Sequence, residues 1–388
     1  MQTILSFAVV AVLILSLLLV LRWGNLILIG KMPARFFAFF AILFTSGLDV
    51  GLIMLPLTEF STYETDEAYS FTNPLAIEFG FWGFFIWVFY FLTTCYFCIF
   101  EPRLKIFEIY WVRFVNNIVI IGTCAFTGFL FLQYLPSYFE GITPFVRFVI
   151  VAIVLMGAVF SSTDIRYVKI LSLASTWLFF ALIAVTWVYG GLGLSGLAAN
   201  LMKIGDYFPN IYRFILPFSD FHAFYLFWWF AWSIMIGQFV SRFVGGLRTW
   251  HLLIALLVIP SIPIALWFSV LFGIYEQGIE VSAFVNGFMI LVGVIFVTNS
   301  LDSLTRLYSE NLQLTVDRLG KVKYIVMHWS LLYGLILLYQ YTPLQIEWVG
   351  LVVIGLYVAI SILVFLRRQS VISLITVSYT HLTLPTKA

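Results

Sequence analysis

Phe79-Gly80-Phe81-Trp82-Gly83-Phe84-Phe85-Ile86-Trp87-Val88-Phe89-Tyr90 lies inside an apolar run near residues 75–100. Such a run is long enough to cross a bilayer, which takes about 20 predominantly apolar residues. At about 100° per residue, a continuous helix brings Trp82, Trp87 and Tyr90 within about 140° of one another on one face. Far along the chain, Trp228-Trp229-Phe230-Ala231-Trp232 sits in a second apolar run. Two such walls, facing each other, make a cage for a cation without N–H donors, because each ring face attracts positive charge that needs no hydrogen bond. The competing reading is that these are interfacial Trp and Tyr, which anchor helix ends at headgroup level. With 19% of the chain aromatic, composition alone favours that competitor.

The surrounding composition fixes the class. A mean hydropathy of +1.06, with 63% hydrophobic and 10% charged residues, excludes a soluble globular domain. The net charge of +2 carries no nucleic-acid signature, so no such partner is expected. Cys95, Cys98 and Cys124 fall in apolar spans, where Cys95-x-x-Cys98 reads as packing rather than as a redox motif. No zinc, phosphate-loop or nucleophile-elbow pattern is present, and His222, His251, His328 and His381 lie near span ends or in the tail. An enzyme is therefore not expected, nor a cofactor or a metal beyond a coupling ion.

Eleven spans follow from the length criterion, near 3–22, 34–58, 75–100, 111–137, 144–162, 168–190, 223–244, 250–275, 282–303, 322–341 and 344–366. The expectation is an all-α, multi-pass protein of the plasma (inner) membrane. With the first span starting outside, 16 of the 20 basic residues fall on the cytoplasmic side, against Arg147, Lys203 and Arg213 outside and Lys387 in the tail. That asymmetry is the positive-inside rule. The first span lacks a basic leader and a cleavage site, so it reads as a retained helix. An external start without a leader leads to the expectation of one further span upstream. Glu59 to Glu67 reads as an acidic external loop, residues 193–222 as an external amphipathic connector, and residues 369–388 as a disordered tail.

Two polar stretches interrupt the spans. Ser46-Gly47-Leu48-Asp49-Val50-Gly51 carries an acid between two glycines. Glycine loosens a helix, and the freed carbonyls then need a partner other than lipid. Broken helices at mid-depth are where transporters place substrate and coupling ion, and an intramembrane acid is a functional candidate by default. The second stretch is Thr298-Asn299-Ser300-Leu301-Asp302-Ser303, followed by Arg306. Its oxygens suit sodium, as Asp49 suits a proton. Asp302 and Arg306 are alternatively an i,i+4 pair at a helix end.

The pattern resembles the betaine/carnitine/choline transporter family. Trp82-Gly83-x-x-x-Trp87-x-x-Tyr90 is similar to that family's fourth-span motif, with Phe81 where a histidine is usual. Trp228-Trp229-x-x-Trp232-Ser233 through Arg242 looks like its eighth-span signature, with Ile234 replacing a proline, and Asn299-Ser300-Leu301-Asp302-Ser303 resembles its T-S-A-D-S. The likeness covers roughly residues 20 to 366 and begins at what would be the family's second span.

The resemblance implies that Trp82, Trp87, Tyr90 and Trp229 box a trimethylammonium group, with Trp228 and Trp232 lining the pathway. It implies a ten-helix core of two inverted five-helix repeats, as in sodium–amino-acid symporters, at residues 34–192 and 223–368, with 1–33 peripheral. A sodium site would draw on Asn299, Ser300 and the Gly47–Gly51 stretch, and a homo-trimer is a family trait. Here Asp49 stands at the middle glycine of the family's G-M-G-I-G and Asn299 replaces a hydroxyl residue, so sodium and proton coupling both stay open. The expected function is ion-coupled import of glycine betaine, choline or carnitine by alternating access. An amino-acid or organic-cation symporter of the same fold, or a non-transporting membrane sensor, is the alternative.

Overall fold

Prolines and small polar residues mark where apolar runs become helices. Asn73 caps the helix that begins at Pro74, its side chain accepting the Ala76 N–H at 2.9 Å. Ser219 does the same for the His222 N–H at 3.0 Å. A side-chain oxygen satisfies an orphan donor there, and proline at the first position lacks one to satisfy.

The computed structural model describes residues 1–48, 51–139 and 141–367; Asp49 and the tail expected at 369–388 lie outside the described residues. The helices are α1 Gln2–Trp23, α2 Phe36–Gly47, α3 Gly51–Met54, α4 Pro56–Thr65, α5 Pro74–Trp82, α6 Trp87–Ile99, α7 Glu101–Leu104, α8 Tyr110–Tyr138, α9 Pro144–Ser161 and α10 Arg166–Tyr189. They continue with α11 Leu194–Ile204, α12 Tyr207–Asn210, α13 Asp220–Val240, α14 Thr249–Val258, α15 Ser261–Glu276, α16 Ala283–Asn311, α17 Val316–Leu319, α18 Lys321–Tyr341 and α19 Ile346–Leu366. Two strands, β1 Ile27–Ile29 and β2 Gly245–Arg248, pair antiparallel.

The chain is an all-α, multi-pass integral membrane protein. Among the described residues, ten helical segments are long and apolar enough to cross a membrane, and the expected span 34–58 is instead divided into α2, α3 and α4. Beyond α1, five segments (α2–α4, α5/α6, α8, α9, α10) are followed by five more (α13, α14/α15, α16, α18, α19). Five is odd, so the second set crosses in the opposite sense from the first. The second member of each set is broken partway, at Gly83–Ile86 in one and at Ile259–Pro260 in the other.

Helix α13 packs against α19 and α6, and α16 against α8, α9 and α10. Helix α1 buries one stripe, Leu5, Val9, Val12, Ser16 and Leu19, against its neighbours, chiefly α6, and leaves Phe7 and Leu17 outward. The 4-3-4-3 spacing of that stripe is the helical repeat of a segment touched on one side only. Outward apolar side chains carry no penalty in lipid.

One expectation needs correction. Residues 56–65 are helical and Glu59 is only 9% exposed, so the stretch from Glu59 is not a solvated loop at its start. Pro56 at the first position nucleates a helix that a polar composition conceals. In the connector, α11 forms with Leu197, Leu201 and Ile204 toward the core beside Asn200, which is buried and donates to the Ser269 carbonyl at 3.0 Å; Leu194 at its start is exposed.

Candidate functional site

The break between α5 and α6 organises the site. Helix α5 ends at Trp82, Gly83 is extended, and a 3-10 turn at Phe84–Ile86 leads into α6 at Trp87. Phe84 sits at φ +39°, and its N–H donates to Ser261 Oγ at 2.7 Å, tying this break to the start of α15. Carbonyls released in a membrane interior need donors. Two indoles supply them: Trp87 Nε1 donates to the Trp82 carbonyl at 3.2 Å and Trp229 Nε1 to the Phe81 carbonyl at 3.0 Å. Trp82 and Trp87 therefore do not share the face of one continuous helix, as 100° spacing suggested; they flank a break.

The rings converge all the same. Trp82 meets Trp229 edge-on, with centroids 5.7 Å apart at 85°, and meets Trp228 at 5.4 Å and 81°. Tyr90 lies 5.8 Å from Trp229 and 5.4 Å from Trp87, and Trp228 stacks on Trp229 at 6.4 Å. None of these five rings is more than 5% exposed. Trp232, equally buried, makes none of these ring contacts, and its indole N–H has no hydrogen-bond partner among the described residues. A cation held about 4–6 Å from each of two opposed rings needs their centroids about 8–12 Å apart. The cluster is thus closed on itself, ring edges filling the place of a guest.

One side of the cluster leads to the break in α2. The Tyr90 hydroxyl donates to the Gly47 carbonyl at 2.8 Å. Beyond it, Ser300 Oγ donates to the Leu48 carbonyl at 3.0 Å and the Thr45 carbonyl at 3.3 Å. Asn299 Nδ2 donates to Thr45 Oγ1 at 2.8 Å, and Ser172 Oγ donates to Asn299 Oδ1 at 3.3 Å. Asn299 and Ser300, named from the sequence, thus meet the end of α2, with Gly51 opening α3; Thr45 and Ser172 were missed. A hydroxyl beside Ser46 was the available signal for Thr45. The gathered groups are mostly neutral oxygens, a donor set suited to a hard cation such as sodium.

The other side holds a group the sequence reading passed over. The Tyr63 hydroxyl lies 2.5 Å from Glu59 Oε2 and 2.8 Å from Glu78 Oε2, and the Tyr225 hydroxyl is 3.2 Å from Glu59 Oε2. Glu78 is fully buried. Its signal was plain enough: an acid inside a span, four residues before Trp82. Asp302 and Arg306 form the expected i,i+4 pair, Nη2 to Oδ1 at 3.1 Å, but deep in the protein rather than at a helix end.

No family model matches the chain. Its curated relatives are transporters. A glycine betaine transporter of Bacillus subtilis is 24% identical over 299 residues, covering 63% of this chain and 56% of the relative. A glycine betaine/proline/choline transporter of Vibrio parahaemolyticus is 30% identical over 122 residues, 29% of this chain and 20% of the relative. An uncharacterized transporter of Haemophilus influenzae is 31% identical over 134 residues, 31% of this chain and 20% of the relative. The matched stretches thus span from a fifth to just over half of the length of these relatives. Among solved structures, a substrate-bound, outward-open Na+-coupled sialic acid symporter superposes with a TM-score of 0.52 at 16% identity, over 91% of this chain and 85% of the symporter. The fold is shared with that symporter; these relatives are transporters and symporters, not enzymes.

Proposed function

We propose that the chain is a secondary transporter of the plasma membrane that imports a quaternary ammonium compound, glycine betaine, choline or carnitine, by alternating access and coupled to an ion gradient. The observation that carries this reading is the convergence of Trp82, Trp87, Tyr90, Trp228 and Trp229 in one buried cluster built between the broken α5/α6 segment and the continuous helix α13. A methylated ammonium group has no N–H to offer, so ring faces are the fitting wall, each contributing about 0.5–2 kcal/mol when desolvated. Opening the cluster by rocking residues 34–192 against 223–368 admits the guest. Trp232 lines the pathway further along α13. Sodium, as co-substrate, would take oxygens from Thr45, Leu48, Asn299 and Ser300, next to Gly47 at the end of α2; a role for Asp49 in coupling stays part of the proposal.

The test is uptake of labelled glycine betaine and choline under imposed sodium or pH gradients. Trp229→Ala and Trp87→Leu are expected to abolish uptake with expression intact. Unchanged uptake in both removes the cage, and competition by amino acids rather than by betaines moves the assignment to another symporter of this fold.

A further inference from the structure

Glu59 on α4 and Glu78 on α5 share a site without a counter-ion. Five ion pairs occur among the described residues, and neither acid belongs to one. The titratable groups around them are Tyr63 on α4, Tyr69 in the turn that follows, with Asp66 beyond it, Tyr138 on α8, and Tyr225 on α13 with Tyr134 behind it. Among the described residues, no cation faces the pair.

Counting protons shows what must neutralise it. The Tyr63 hydroxyl approaches both carboxyls, yet a phenol has one proton to donate. Its second contact is attractive only when the second carboxyl is itself an acid that donates to the phenol oxygen. Two like charges sharing a desolvated site cannot both persist without a cation nearby. One proton held between the two acids satisfies every short contact. An independent observation points into the same place. The Trp82 indole N–H faces the Glu78 carboxyl, and neither Trp82 Nε1 nor Glu78 Oε1, both buried, has another hydrogen-bond partner among the described residues. The indole that forms one wall of the cluster therefore also faces the acid.

We propose that Glu59 and Glu78 form a proton-binding site that holds one proton while the aromatic cluster is empty and yields it when a quaternary ammonium cation enters. The inference rests on the cage reading of the cluster. A permanent positive charge on the far side of Trp82 stabilises the ionised pair through a low-dielectric interior, so cation and proton compete. Choline affinity then rises with pH, by up to tenfold per unit, the limit for one exchanged proton. Glycine betaine, whose own carboxylate offsets its charge, shows a shallower slope.

The experiment uses the full chain in lipid nanodiscs. Infrared spectra at neutral pH are expected to contain a protonated-carboxyl band that disappears in E59Q/E78Q and moves in Y63F, which keeps both acids and removes the shared hydroxyl. Choline titrated by tryptophan fluorescence, from mildly acidic to mildly alkaline pH, is expected to bind more tightly as pH rises in the wild type and equally at all pH values in E59Q/E78Q. Identical carboxyl bands in wild type and double variant, or identical pH slopes, overturn the proton site. A band that behaves as expected in a protein that binds neither choline nor glycine betaine overturns the cage and the competition instead.

Discussion

Asp302 and Glu78 are both fully buried in membrane segments, but their surroundings differ in kind. Asp302 has Arg306 at 3.1 Å, and the same guanidinium reaches the carbonyls of Ser161 at 3.3 Å and Asp164 at 2.9 Å, joining α16 to the end of α9. Glu78 has a phenol and a second acid. Arginine keeps its charge at every attainable pH, so the first site is a fixed latch. The second has no cation among the described residues, and under the proposal above only a proton lowers its charge. Burial is equal in the two places; what differs is whether the compensating charge can leave.

Substitutions can break that contrast, beginning with the largest effect. Arg306→Met leaves Asp302 buried and uncompensated, and a loss of about 3–5 kcal/mol is expected, read as a lowered melting temperature in nanodiscs. Much of it should return in Arg306→Met/Asp302→Asn; an unaltered melt in the single variant would make the two sites alike. Tyr63→Phe removes a hydrogen bond to a charged group and is expected to cost about 1.5–3 kcal/mol. If Glu78 holds the shared proton as proposed, Glu78→Gln replaces one neutral group by another and should cost less than about 1 kcal/mol, whereas Asp302→Asn strands a guanidinium. Smallest is Lys203→Met, which removes a half-exposed pair with Glu276 and should shift stability by at most about 1 kcal/mol. That variant calibrates the scale for both buried sites.

The membrane segments were legible because lipid allows few alternatives: backbone polar groups must be paired internally, and the apolar length is set by the bilayer. The end of α2 at Gly47, with Leu48 extended, was legible for the same reason, since two glycines around an acid do not favour an undisturbed lipid-facing helix. The break after Trp82 was not. Continuous spacing placed Trp82, Trp87 and Tyr90 together for the wrong reason, and it is the extended Gly83 and the turn at 84–86 that let them meet. Glu59 was misread because Glu-Phe-Ser-Thr-Tyr-Glu-Thr-Asp-Glu is polar on average. Only its packing shows that Glu59 and Tyr63, one turn apart, point inward. Trp232 shows the limit of a motif, which names residues without saying which of them touch.

The small β ribbon has a mechanical consequence. Helix α1 adheres to α6 through its side-chain stripe. Just past α1, the backbone is stitched to the exit of α13 by Gly30 N–H to the Val244 carbonyl at 2.8 Å, Met32 N–H to Arg242 at 2.7 Å and Ala34 N–H to Phe243 at 3.0 Å. A side chain at Gly30 would strike the Ser241 and Arg242 carbonyls at 2.3 Å, so the strap lies flush. Any tilting between the two five-segment sets therefore loads this outermost helix at both attachments. A tilt of α1 would thus be felt at the C-terminal end of α13.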